Sequence, residues 1–297
     1  MPREWGGDWT EDKLAVMHRY FSAYAKALKN QRFEKWYVDA FAGSGERKEL
    51  RQAARSEPSL FGDDEPDVAL VKEGSVRIAL AIEPPFDRYV LIEQSKRNVT
   101  SLAELRGQFP ERRIDILTGD ANDLLLALCT RTNWQRVRAA VFIDPYGMQV
   151  NWPTLEALAR TRAVDIALLF PTGPLNRMLA LDGTVPPEWA KRIDNHLGPC
   201  DWQRAVYAPS GTHDLFSPAT PLLRKAINVE GLRIFVLARL RSIFPFVHEN
   251  PFELRNSKNS VLYHLFIICA NPSARAGQIA MNIASSAVRL PRQPRRR

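Results

Sequence analysis

The stretch Trp36-Tyr-Val-Asp39-Ala-Phe41-Ala-Gly43-Ser-Gly45 sets an apolar run, an acid and two glycines in immediate succession. A buried strand that runs into a turn of small residues lets backbone approach a ligand closely. Glycine reaches the required dihedrals and carries no side chain to stand in the way. The acid stands four residues before the first glycine. A pyrophosphate prefers amides and no carboxylate nearby, whereas an acid beside the turn suits a ligand with an ammonium and a sulfonium, the two cationic groups of S-adenosylmethionine. Asp39, Phe41, Gly43 and Gly45 are therefore the first candidate cofactor residues. A tight turn in an α/β protein with no ligand offers the same residues.

Three more acids follow at comparable places. Tyr89-Val-Leu-Ile-Glu93 ends an apolar run in a carboxylate, placed to accept hydrogen bonds from both ribose hydroxyls of a nucleoside. In Gly119-Asp120-Ala121-Asn122, Asp120 and Ala121 can face an adenine, with the carboxylate accepting from the amino group. Asp120 also suits a helix N-cap, and the two roles are compatible. Val141-Phe-Ile-Asp144-Pro145-Tyr146-Gly147 ends the next run. The Asp144 carboxylate and the Pro145 carbonyl are acceptors for an amino group, and Tyr146 can stack on a base. Asp144, Pro145 and Tyr146 are the candidate catalytic residues. A turn with a buried tyrosine is the plainer alternative.

Ordered elements must hold these groups. Leu14, Met17, Phe21, Tyr24 and Leu28 recur at three- and four-residue steps, which predicts a helix over 10–30 capped by Thr10 or Asp12. Five short apolar runs follow, at 36–41, 89–93, 113–117, 139–144 and 165–170, as expected of parallel strands buried on both faces. Runs at 246–254 and 261–269 flank the polar joint Asn256-Ser-Lys-Asn259 and predict an antiparallel hairpin. Residues 222–244 read as helix, with Gly231 as a possible break. The expected fold is a doubly wound, Rossmann-like α/β sheet of five parallel strands plus a C-terminal antiparallel hairpin, the plan of class I methyltransferases. Insertions are expected at 46–73 and 171–221. Residues 1–288 read as one domain that includes the second insertion, and 289–297 as a basic tail.

Ordinary apolar (45%) and charged (25%) contents argue against disorder in the body. No run approaches the ~20 apolar residues of a membrane helix, and the first residues lack a signal-peptide core, so a cytoplasmic protein is expected. Cys129, Cys200 and Cys269 are scattered, which speaks against a disulfide framework or a zinc site, and the histidines show no metal-ligand spacing. Net charge is +8, and +3 without the tail arginines. A basic balance favours polyanionic partners, nucleic acid first.

The chain resembles the three-Cys-motif partner family, TcmP. The marks are Trp9-Thr-Glu-Asp-Lys13-Leu14, Tyr37-Val-Asp-Ala-Phe-Ala-Gly-Ser-Gly45, Gly74-Ser-Val-Arg-Ile-Ala-Leu80, Tyr89-Val-Leu-Ile-Glu93, Gly119-Asp-Ala-Asn122, Phe142-Ile-Asp-Pro-Tyr-Gly147 and Leu262-Tyr-His-Leu-Phe266. Val76 stands where the family often has proline. The resemblance implies a methyltransferase-like domain and a radical-SAM-like partner that carries three cysteines and is encoded nearby on bacterial or mobile elements. Two activities stay open: transfer of a methyl from S-adenosylmethionine to nucleic acid, or a non-catalytic subunit that binds cofactor or nucleic acid for that partner. An NAD-dependent oxidoreductase is weaker, because Lys48 occupies the third glycine position of G-x-G-x-x-G.

Overall fold

Successive residues of a strand point to opposite faces. The apolar runs of this chain are apolar at both parities, so each strand needs cover on both sides. A computed structural model, which describes residues 8–43, 74–214, 217–256 and 258–289, shows that cover. Helix α1 (Asp8–Ala27) leads into β1 (Glu34–Asp39). Next come α2 (Ser75–Leu80), β2 (Arg88–Glu93), α3 (Lys96–Gly107) and β3 (Ile114–Thr118). They are followed by α4 (Ala121–Arg131), β4 (Val137–Ile143), α5 (Trp152–Thr161) and β5 (Val164–Phe170). These five strands are parallel and stand in the order β3-β2-β1-β4-β5.

The parity of each strand decides which helices it meets. Trp36 and Val38 of β1 join Val141, Ile166 and Leu168 in a core shared with Leu125 of α4 and with Leu155 and Leu158 of α5. Tyr37 points the other way and joins Tyr89, Leu91, Phe142 and Leu169 in a second core, which holds Val16, Met17, Tyr20 and Phe21 of α1. The face of α1 is turned slightly from the expected one: Lys13, Val16, Met17, Tyr20, Phe21, Tyr24 and Ala25 are buried, while Leu14 and Leu28 are half-buried. The helix also starts earlier than expected, so Thr10 and Asp12 lie inside it.

After β5 the chain makes α6 (Thr172–Met178), α7 (Pro187–Leu197), α8 (Trp202–Val206) and a separate antiparallel pair, β6 (Tyr207–Asp214) with β7 (Ser217–Lys225). Lys225 fastens this excursion: its ammonium donates to the carbonyls of Asn176 (2.7 Å) and Leu179 (3.2 Å), where the last turn of α6 leaves acceptors unpaired. Helix α9 (Val229–Arg241) follows. The helix expected over 222–244 thus loses its first residues to β7. Gly231 is no break; it sits in the first turn and donates its amide to the Asn228 side chain, the N-cap.

The chain then enters β8 (Phe246–Val247), β9 (Phe252–Arg255) and β10 (Val261–Cys269), and ends in α10 (Ala274–Ala287). β10 lies antiparallel between β5 and β8, and also pairs antiparallel with β9. Five parallel strands carrying an inserted antiparallel strand at one edge make a class I methyltransferase-like fold. The expected segment 46–73 lies outside the described residues.

Candidate active site

In an open parallel sheet, ligands sit beyond the carboxyl ends of the strands. β1, β2 and β4 each deliver an acid there, and β3 delivers Asp120 just past its end. Asp39 closes β1 and is 0% exposed. Its Oδ1 accepts the amide of Phe41 (3.2 Å), and its Oδ2 accepts the hydroxyls of Ser75 (2.8 Å) and Tyr37 (3.1 Å). Burial pushes its pKa up to about 6, against the pull of those hydrogen bonds, and the nearby Asp144 carboxylate adds to the rise. The Asp39 carboxylate thus accepts three hydrogen bonds from its own chain, one of them from the turn that follows.

That turn reaches Gly43, which adopts a left-handed φ of +69°. Its amide donates to Glu93 Oε2 at 2.8 Å, while the Ser95 amide donates to Oε1 at 2.8 Å. Glu93 thus ties the β1 turn to the end of β2. Each of its oxygens keeps lone-pair capacity after one backbone bond. Asp120 caps α4: Oδ1 accepts the amides of Asn122 (2.8 Å) and Asp123 (3.2 Å), and the residue is exposed. Cap and solvent-facing acid coexist. Ala121 is buried behind it. Gly45 lies outside the described residues.

The segment after β4 is held from three sides. Asp144 Oδ2 accepts the ammonium of Lys13 at 2.7 Å, in a pair whose side chains are 1% and 7% exposed. Asn122 reaches across from α4, donating to the Gln149 carbonyl (2.9 Å) and accepting the Asn151 amide (2.9 Å) and the Thr154 hydroxyl (2.9 Å). His196 of α7 places Nδ1 2.7 Å from the Val150 carbonyl. Burial drives the His196 pKa down to about 4, so the ring is neutral and its Nδ1 donates. Within the segment, Gly147 takes a φ of +67° and the Tyr146 amide donates to Gln149 Oε1 (3.0 Å). Pro145 is buried and Tyr146 half-buried.

No family model and no curated protein matches the chain. Solved structures align with it at low identity. The Legionella pneumophila protein LPL1258, described with the family model DUF519, is 13% identical over 92% of this chain and 91% of its own, at a TM-score of 0.45. The putative methyltransferase yhhF from Escherichia coli is 14% identical over 75% and 89%, at 0.29. The N-terminal domain of EvdMO1, crystallised in the presence of SAH and D-fucose, is 12% identical over 86% and 82%, at 0.34. Scores this low add nothing to what the strand order already shows.

The structure thus gathers Asp39, Phe41, Gly43, Glu93, Asp120, Ala121, Asp144, Pro145 and Tyr146 along one end of the sheet. Sequence reasoning missed the residues behind them. Ser75 lies in a block that bears only on the family resemblance, and Asn122 closes a motif whose evident chemistry is that of Asp120. Lys13 had a visible signal: it shares the apolar face of α1 with Met17, Tyr20 and Tyr24 at helical spacing. Among the described residues there is no cluster suited to a metal ion, and no helix is long and apolar enough to cross a membrane. Cys129, Cys200 and Cys269 are free thiols.

Proposed function

We propose that this chain is an S-adenosylmethionine-dependent methyltransferase that acts on nucleic acid and works with a three-Cys-motif partner of the kind the TcmP resemblance implies. The observation that carries the reading is the row of acids Asp120, Glu93, Asp39 and Asp144, which follows the adjacent strands β3-β2-β1-β4. The donor set fits such a cofactor. The Glu93 oxygens have room for a ribose diol, and Asp120 keeps Oδ2 for an adenine amino group. The left-handed turn at Gly43 brings backbone close to the ligand, and no lysine or arginine of the described turn is placed for a phosphate. Bound there, the cofactor supplies an electrophilic methyl on sulfur. The chain's own part is to orient and to exclude water. Asp144 and the Pro145 carbonyl would accept hydrogen bonds from an acceptor amine, contacts that strengthen as the nitrogen gains positive charge. The net charge of +8 supports a polyanionic substrate.

The second reading, a subunit that binds cofactor or nucleic acid without turnover, draws on one observation. Asp144 already accepts an internal ammonium, that of Lys13. Calorimetric titration with S-adenosylmethionine, followed by labelled-methyl transfer to DNA and RNA with and without the partner, separates the two. Binding with transfer supports the enzyme. Binding with no transfer in any mixture supports the subunit. Failure to bind at millimolar ligand removes the cofactor from both.

A further inference from the structure

Burying a lysine and an aspartate together is costly, and an apolar pair of similar volume often serves stability as well or better. The Lys13–Asp144 pair, 131 residues apart in sequence, therefore needs a reason at its position. Asp39 is buried close enough to feel the Asp144 charge, and Tyr37, whose hydroxyl donates to Asp39, feels it too. Among the described residues, two carboxylates and one ammonium share this space, and the ammonium also lies 5.7 Å above the Phe142 ring.

The register of α1 is the second observation. Tyr20, two turns beyond Lys13 and on the same face, donates to Asp165 at 2.7 Å, near the start of β5. Two turns of helix span roughly 10 Å. Asp144 lies just past Ile143, which pairs with Leu168 of β5, so the two acids differ in height along the sheet by about the same amount. Helix α1 is pinned to the sheet at both heights.

We propose that Lys13 is a positioning residue of the strand-end site: from α1 its ammonium pairs with one oxygen of the Asp144 carboxylate and fixes its orientation, leaving the second oxygen for the acceptor. The meaning for catalysis rests on the reading of Asp144 given above. The charge role rests on the geometry alone.

Lys13→Met keeps most of the side chain's length and its apolar stem and removes the charge. Among the described residues, Asp39 and Asp144 are then left together with Tyr37 and without the Lys13 ammonium, so the Asp144 charge pushes the Asp39 carboxyl, already raised to about 6, further up. A carboxyl whose folded pKa is raised favours the fold at low pH and loses that contribution as pH rises. The melting temperature of Lys13→Met should therefore fall by about 10 °C against wild type at pH 8, and by less than a third of that at pH 5. The double variant Lys13→Met/Asp144→Asn, which removes both charges, should regain most of the loss at pH 8. Equal losses at the two pH values, or a double variant no more stable than the single one, would overturn the proposal. Should Lys13→Met fail to fold at pH 8, a folded double variant there supports the charge role and an unfolded one overturns it. Calorimetry of wild type with S-adenosylmethionine runs in parallel. A wild type that binds nothing sinks the cofactor reading and leaves the pH series to decide on Lys13. Normal binding with a flat series sinks the role of Lys13 alone.

Discussion

Glu93→Gln is the sharpest probe of the proposed cofactor end. The wild-type carboxylate accepts the Gly43 amide on one oxygen and the Ser95 amide on the other, both at 2.8 Å. Glutamine has one oxygen and one NH2, so one of the two amides faces a donor instead of an acceptor. A hydrogen bond to a charged group is worth about 1.5–3 kcal/mol, and the variant should lose about that much stability, visible in urea denaturation. The ligand loses more specifically. A ribose diol accepted by the remaining lone pairs of a carboxylate meets a neutral amide, and the same 1.5–3 kcal/mol corresponds to roughly a 10- to 150-fold weaker Kd. Calorimetry should use S-adenosylmethionine and S-adenosylhomocysteine, because both carry the ribose and both should weaken equally. Glu93→Asp keeps the charge but is one methylene short of spanning Gly43 and Ser95, so it should lose stability and affinity together. A Glu93→Gln protein that binds either ligand within twofold of wild type would refute the assignment of Glu93 to the ribose.

Gly43→Val places a β-branched residue at a φ of +69°, a local strain of about 1–3 kcal/mol; calorimetry should detect no cofactor binding, while circular dichroism remains that of a folded chain. Tyr20→Phe removes the donor to Asp165, whose pKa burial has already pushed up to about 6. That raised value favours the fold below the unfolded pKa near 4 and is lost as pH rises through 6, and losing the hydroxyl raises it further. Urea denaturation should show a loss of about 2 kcal/mol at pH 7.5 and about 1 kcal/mol or less at pH 4.5; equal losses would contradict the buried-acid account. Removing residues 290–297 should flatten the salt dependence of nucleic-acid binding, by up to ~0.9 in the log–log slope per arginine removed, and an unchanged slope would place the phosphate contacts elsewhere.

The sheet was legible because its signal is local. Apolar runs such as Val141-Phe-Ile and Ile166-Ala-Leu-Leu declare strands buried on both faces, and three of the runs close on an acid, Asp39, Glu93 or Asp144. The antiparallel character of β10 was legible for the same reason, through the polar joint at 256–259. What failed was the stretch between β5 and α9. Residues 222–225 carry leucines and basic residues that suit a helix as well as a strand, and only the pairing of Lys225 with Tyr207 and of Arg224 with Ala208 decides for β7. A pairing partner some eighteen residues away leaves no mark on local periodicity.

The same limit explains why the site was half read. Asp39 and Asp144 were found as acids at strand ends, which is a statement about their own neighbourhoods. What each acid does depends on what stands behind it, and those partners come from elsewhere: Ser75 from α2 and Lys13 from α1. A charged residue on the buried stripe of an amphipathic helix is the one sequence sign of such a partner, because a lone buried charge is too costly to persist unpaired. Lys13 shows that sign and Leu14, beside it, hides it, since either can be counted into the apolar face. Once Lys13 is placed inside, its charge demands an acid at the height of the helix's first turns. The sheet offers Asp144 and Asp39 there, both at the carboxyl ends of their strands. The first helix therefore contributes a charge to the strand-end cluster as well as an apolar face to the core.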